Sequence, residues 1–233
     1  MELTSAIKIN SNHAVISINT FIEQAMGNKI CNFSDNRQHS FAANGVGNDW
    51  TIIIPKDFEV NFLQCININK LSTFANLNIY SEDGGHANAL VFIFKDGVIE
   101  IERYEPHGGH GMFSETLDKS IQKAFKRAFV TRIRYKSPID ICPGHGPQAI
   151  QDIGIIREFG FCQSWSALYI IDRLTNPDVE SKEILKKYLT LKDKELDELI
   201  IKFTEKLKKM TPEVSSDIDY DPEVFNYYDY FYD

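Results

Sequence analysis

No run in the chain approaches the roughly 18 to 20 apolar residues that a membrane span needs, and its start, Met1-Glu2-Leu3-Thr4, lacks the basic-then-apolar layout of a secretory signal. A soluble cytoplasmic protein with no membrane partner is expected. There is no basic stripe and no interleaving of Lys and Arg with aromatics, so the electrostatic footprint of nucleic-acid binding is missing. Cysteine is scarce: Cys31, Cys65, Cys142 and Cys162 are widely spaced with no C-x-x-C. In a cytosolic chain this predicts free thiols rather than a disulfide framework, and leaves one of them available as a reagent. No internal repeat recurs at a fixed period, which sets solenoids and propellers aside.

What is present is enough for one well-filled core. Of 233 residues, 43% are hydrophobic, 12% aromatic and 25% charged, the profile of an ordinary globular protein. The net charge of -8 is unevenly placed: residues 213–233 hold Glu213, Asp217, Asp219, Asp221, Glu223, Asp229 and Asp233 with no Lys or Arg, so the remainder is nearly neutral. Four segments are expected: an N-terminal extension over 1–48, a catalytic core over 49–176, C-terminal helices over 177–212 and an acidic, Tyr-rich tail over 213–233.

The extension is Asn-rich, with one short helix expected around Thr20 to Met26, closed by Gly27. From Trp50 onward β-branched and aromatic runs follow at short intervals, and Phe74 to Tyr80 alternates apolar and polar like a half-buried strand. Two β-rich runs, Ala87 to Phe94 and Val98 to Tyr104, flank Asp96-Gly97 and predict a hairpin. After Ser114, a fair N-cap, Leu117, Ile121, Ala124, Phe125, Ala128 and Phe129 keep helical spacing. A strand over 130–135, a Pro/Gly-rich loop over 138–147 and a helix from Cys162 to about Leu174 complete the core. Residues 179–210 read as two charged helices packed on the outside, the second carrying Leu196, Leu199, Ile200, Phe203 and Leu207 on one face.

A cysteine nucleophile needs a base, a group to fix that base's imidazole, and donors for the oxyanion that forms on the attacked carbonyl. His86 stands at the mouth of the hairpin's first strand and Glu105 just past the end of its second, so a turn at Asp96-Gly97 brings the two side by side. Cys162 lies in Gly160-Phe161-Cys162-Gln163-Ser164-Trp165-Ser166, where an irregular stretch enters a helix. The unpaired N–H groups and positive dipole end of a helix N-terminus stabilise a thiolate and serve an oxyanion. Gln148, in the loop Gly146-Pro147-Gln148, offers a side-chain amide as a second oxyanion donor.

With this order of His, acid, Gln and Cys, and the His-strand-turn-strand-acid hairpin, the chain resembles the adenovirus-type and ubiquitin-like-protein-specific cysteine peptidases of clan CE. Its phrases Glu102-Arg103-Tyr104-Glu105-Pro106-His107-Gly108, Gly146-Pro147-Gln148 and Gly160 to Ser166 look like the versions in large DNA viruses. The resemblance spans about residues 50 to 175. It implies an α+β fold with a mainly antiparallel central sheet packed against helices, papain-like and of the adenovirus-protease type. The implied catalytic set is Cys162, His86, Glu105 and Gln148, with no metal or cofactor. The implied partner is a protein substrate, ubiquitin or a ubiquitin-like modifier first and a viral structural precursor second; a viral source would place the protein in the host cytoplasm or the virion. Gln148 precedes Cys162 by 14 residues, a longer gap than is usual in the ubiquitin-like proteases, so Gln151 and Gln163 stay open as oxyanion donors. The acid is Glu, as in the Yop-type acetyltransferases that resemble this clan, which adds acyl transfer to a protein side chain as an alternative.

Each residue also has a plainer reading. A lone Cys entering a helix is usually a small buried hydrophobe, His86 a turn or core histidine, and Glu105 a partner for Arg103 or a loop amide. A different class of function uses His107-x-x-His110 and Cys142-x-x-His145, spaced like two halves of a structural zinc site in a zinc-stabilised binding module.

Overall fold

The computed structural model describes residues 11–82, 84–109, 111, 114–151 and 161–210. The acidic tail expected over 213–233 lies outside them. Helix α1 (Ser11–Met26) leads into β1 (Ser40–Val46), β2 (Asp49–Ile53), α2 (Phe58–Ile66), β3 (Ser72–Ser81), β4 (Gly84–Lys95) and β5 (Val98–Tyr104). Helix α3 (Ser114–Ala128), β6 (Ile133–Lys136), two single turns α4 (Pro138–Ile141) and α5 (Pro147–Ile150), and helices α6 (Cys162–Thr175), α7 (Ser181–Leu189) and α8 (Asp193–Met210) follow. The six strands form one sheet in the order β2-β1-β3-β4-β5-β6, antiparallel except for the β1/β3 and β5/β6 pairs. Helices cover both faces, giving the α+β, mainly antiparallel architecture that the sequence implied. No helix among the described residues is long and apolar enough to cross a membrane.

Strand alternation sorts the core into two layers. Leu90 and Phe92 of β4, Ile99 and Ile101 of β5, and Ala75, Leu77 and Ile79 of β3 pack with Phe58 and Phe62 of α2 and Leu117, Ile121 and Phe125 of α3. The alternate residues Ala89, Val91, Phe74 and Tyr104 pack with α1, α6, α7 and α8. This double cover corrects the expectation for β3: Ser72 to Ile79 are all buried, because helices lie on both sides of it. Its polar residues are accommodated by hydrogen bonds, Asn76 donating to Asn19 of α1 at 2.5 Å and Thr73 to the Cys31 carbonyl at 3.2 Å. A buried amide without such a partner would cost roughly 1–3 kcal/mol.

Three further differences trace to tertiary contacts. Within the expected N-terminal extension, β1 lies between β2 and β3 in the sheet, and Ile18, Phe21, Ile22 and Met26 of α1 join the α6 layer. Leu196, Ile200 and Leu207 of α8 enter the same core, each contributing about 1.5–3 kcal/mol of burial, so α8 is integral rather than peripheral. Cys31 and Cys65, expected as free thiols, form a disulfide across 34 residues that ties the chain before β3 to the end of α2. Spacing along the chain carries no sign of such a pair, since only the packing of α2 brings the two sulfurs together. Cys142 and Cys162 are free.

Candidate active site

The hairpin supplies the first half of the site. Asp96 and Gly97 both adopt positive φ, 54° and 74°, the two-residue turn whose twist matches antiparallel strands. This sets Lys95 opposite Val98 and Ala89 opposite Tyr104. One step past that last pair Asn88 falls beside Glu105, where β5 has ended and the chain turns at Pro106 and His107. His86 therefore meets Glu105 diagonally: His86 Nε2 lies 2.7 Å from Glu105 Oε1. A carboxylate only accepts, so Nε2 is the donor, which leaves Nδ1 as the free nitrogen.

Glu105 is buried and fully engaged. Its Oε2 accepts from Asn88 Nδ2 at 2.8 Å, and its Oε1 also accepts from the His107 backbone N–H at 2.9 Å and from His107 Nδ1 at 3.3 Å. Burial alone would raise its pKa, but the hydrogen bonds from His107 and His86 outweigh it and hold the carboxyl well below the usual range. Beneath Asn88 a buried chain continues. Arg103 donates to Asn88 Oδ1 and pairs with Asp118 of α3 at 2.8 Å, and Asp118 in turn accepts from Tyr135. The chain runs from Tyr135 on β6 to the carboxylate beside His86.

Cys162 is the first residue of α6, and the helix is pinned to the hairpin along its length. Ala87, Ala89 and Ala167 are small and buried, Ser166 donates to the Ala87 carbonyl at 3.3 Å, and Tyr169 stacks on Tyr104 at 4.2 Å. Further along, Arg173 and Tyr169 both bond Glu102 of β5. These contacts bring Cys162 close enough to His86 for the thiol to act on the charge of the imidazole. Burial disfavours the charged imidazole, but the interactions with Cys162 and Glu105 more than offset that and push the His86 pKa from 6.5 up to about 10. At neutral pH His86 is an imidazolium beside a carboxylate and a sulfur. Trp165 N–H bonds the Phe161 carbonyl to close the first turn, and among the described residues no side chain caps it, so the Cys162 N–H keeps no helical partner.

The second half of the site is made of loops joined through glycine. Gly146 N donates to the His107 carbonyl at 2.8 Å, Gln148 N to the Pro106 carbonyl at 3.1 Å, and Gly109 N to the Cys142 carbonyl at 2.6 Å. A Cβ on Gly108, at φ +95°, would lie 2.2 Å from the Gly144 carbonyl oxygen, and one on Gly146 2.3 Å from that of Pro106. Only glycine lets these backbones touch. Gln148 and Gln151 are both buried there, at 4% exposure. Gln151 Oε1 accepts from the Trp165 indole at 3.1 Å; among the described residues its buried Nε2 and the buried Gln148 Oε1 have no hydrogen-bond partner.

Of the residues expected from the sequence, His86 and Glu105 are hydrogen-bonded and Cys162 acts on the charge of His86, while Gln148 stands in the loop laced to the turn after Glu105. Asn88, Arg103, Asp118 and His107 were not anticipated. Asn88 follows from the hairpin register by parity, whereas His107 is placed by the turn after β5 and Asp118 by the packing of α3. His107, Cys142 and His145 do not gather as a metal cluster; His110, the fourth residue of the expected zinc site, lies outside the described residues. Among the described residues the set that comes together is His86, Glu105 and His107.

In sequence the chain matches no family model and no curated protein. In structure it is similar to two crystal structures of the Legionella pneumophila effector protein RavZ, at TM-scores of 0.45 and 0.41 and identities of 11% and 9%. Each match covers 87% of this chain and 68% of the other. It is also similar to AvrA delL154 with IP6 and CoA, at a TM-score of 0.37 and 13% identity over 79% of this chain and 60% of that one.

Proposed function

We propose that this chain is a cysteine peptidase with Cys162 as nucleophile, His86 as general acid and base, Glu105 as the acid that orients His86, and Gln148 as oxyanion donor. The observation that carries this reading is the single imidazole whose Nε2 donates to a buried carboxylate and whose charge also responds to the thiol at the start of α6.

The reaction follows from the charges. Attack begins with the Cys162 proton on His86, whose cationic form Glu105 supports. The sulfur bonds to the substrate carbonyl carbon, and its oxygen becomes an oxyanion received by the Cys162 N–H and the Gln148 amide. His86 then gives its proton to the leaving nitrogen as the C–N bond breaks, leaving an acyl-enzyme. His86, now neutral, takes a proton from water as the hydroxyl attacks the thioester, and releases it to the sulfur as the acid product departs. Throughout, Glu105 stays ionised and keeps the His86 ring aimed.

The substrate class follows the resemblance to ubiquitin-like-protein proteases: a C-terminal peptide or isopeptide bond of ubiquitin or a relative. Electrophilic C-terminal probes of ubiquitin and ubiquitin-like modifiers, read by intact mass on wild type and Cys162→Ala, test both parts. The expected result is a one-to-one adduct that is absent from the variant. Adduct formation that persists in Cys162→Ala removes the nucleophile assignment. No adduct, alongside fast alkylation of Cys162 by a small reagent, removes the modifier and turns the search to precursor cleavage or an acyl-CoA donor.

A further inference from the structure

Glu105 carries more donors than it can use. Three hydrogens converge on Oε1, from His86 Nε2 at 2.7 Å, the His107 backbone N–H at 2.9 Å and His107 Nδ1 at 3.3 Å, while Oε2 takes Asn88. An oxygen of a carboxylate offers about two lone-pair directions. The His107 ring is therefore surplus to holding the acid, and its 3.3 Å contact is the longest of the three. It is placed by other means: its backbone carbonyl is bonded to Gly146 N, and its ring lies against the His86 ring with centroids 5.1 Å apart.

We propose that His86 Nε2, Glu105 Oε1 and His107 Nδ1 form a binding site for a borderline-soft divalent cation of the zinc type, and that the bound ion switches the cysteine off. The three donor atoms all lie within 4.8 Å of one another. A tetrahedral ion with bonds of about 2.0–2.1 Å sets its ligand atoms about 3.3 Å apart. The His107 to Glu105 distance already has that value, and the others are met by small rotations of His86 and His107 about their side-chain bonds. Two imidazoles and one carboxylate suit zinc or cobalt and do not suit magnesium or calcium, which take oxygen ligands. With the His107 side chain 35% exposed and that of His86 15%, the cluster is open to solvent, and water completes the fourth position.

The same geometry states what binding does. The ion takes the Nε2 lone pair, and the hydrogen that Nε2 donated to Glu105 leaves to solvent. The one remaining ring hydrogen then sits on Nδ1. An imidazole in that form has no lone pair for the thiol proton and has lost the cationic form that pairs with the sulfur. The ion thus acts through the base without touching the nucleophile. Binding itself is independent of the proposed peptidase activity; the inhibitory consequence rests on it.

Cobalt(II) titrated into untagged full-length Cys162→Ala and followed by visible absorption tests the site without requiring activity. The expected result is one ion per chain with the intense bands of a four-coordinate site. Adding His107→Gln or His107→Ala should weaken it at least about tenfold, with thermal melts confirming that the fold survives. His145→Gln, an exposed histidine outside the cluster, should leave it unchanged. Absence of a one-to-one complex in Cys162→Ala overturns the proposal, as does an affinity unmoved by both His107 substitutions. A second readout is alkylation of Cys162 by iodoacetamide with and without zinc. Zinc should slow it in the wild type and much less in His107→Gln; equal slowing in both puts the ion on the sulfur and contradicts the site.

Discussion

The two arms of the site are built in opposite ways. His86, Asn88, Arg103 and Glu105 stand on one face of a two-stranded ribbon, where the turn at Asp96-Gly97 fixes the register and hence every distance between them. Gln148 and Gln151 stand on loops whose backbones are laced together at Gly108, Gly109 and Gly146, with no ladder to set the spacing. The ribbon arm is locked by regular structure and a buried charge chain; the loop arm is locked by close backbone approach alone. Damage to the first should act on the base and its charge, and damage to the second on transition-state stabilisation.

The largest expected effect lies on the ribbon. His86→Ala should lower kcat/KM on a fluorogenic ubiquitin substrate by about 10³-fold with the circular dichroism spectrum unchanged. Removing the cation behind the acid comes next. Arg103→Met removes the cation that pairs with Asp118 and the donor to Asn88 Oδ1 in a closed interior and should cost about 3–5 kcal/mol in urea unfolding. A loss below about 1 kcal/mol would show that the chain from Tyr135 to Glu105 is not a structural support.

The loop arm sharpens the contrast. Gln148→Ala should cut kcat by about 10²-fold, the usual cost of one oxyanion donor, with little change in KM. Gln151→Ala should cost less, since its amide anchors Trp165 through Oε1. The reverse order would transfer the oxyanion role to Gln151 Nε2, which is buried and, among the described residues, without a partner. Gly146→Ala drives a Cβ into the Pro106 carbonyl and should destabilise the protein by about 1–3 kcal/mol, separating the two loops before it disturbs the hairpin.

A further expected effect is a pH dependence of stability. The folded state raises the His86 pKa from 6.5 to about 10, so the charged form is favoured on folding. That contribution is complete below pH 6.5 and disappears as the pH rises through about 10. Glu105 behaves oppositely: its depressed pKa adds stability that is present above about 4.5 and fades as the pH falls below it. Urea midpoints between pH 6.5 and 10 should decline in the wild type and decline less in His86→Gln.

The same contrast explains how much could be read from the chain. An Asp-Gly turn between two β-rich runs determines a register, so the meeting of His86 and Glu105 was accessible, and counting parity along the ribbon would have added Asn88. The helical spacing of Leu117, Ile121 and Phe125 and the onset of α6 at Cys162 were equally local signals. What escaped depends on who packs against whom. The polar alternation in β3 mimics a solvent face because Asn76 and Thr73 spend their hydrogen bonds on α1 and on the chain before β3. Cys31 and Cys65 pair only once α2 lies across the sheet, and β1 joins the sheet by a parallel pairing with β3 that no turn specifies. The loop arm was legible as residue types but not as geometry, since glycine marks a close approach without naming its partner.

The central claim is that His86, fixed by Glu105, arms Cys162. Its most direct test is the rate of iodoacetamide alkylation of Cys162, followed by peptide mass at pH 6.5 in wild type and His86→Ala, with buried Cys142 as the internal reference. The account predicts fast modification of Cys162 in the wild type and a loss of at least about tenfold in the variant, with Cys142 inert in both. Equal rates in the two proteins would contradict it, and would return Cys162 to an ordinary residue at the start of a helix.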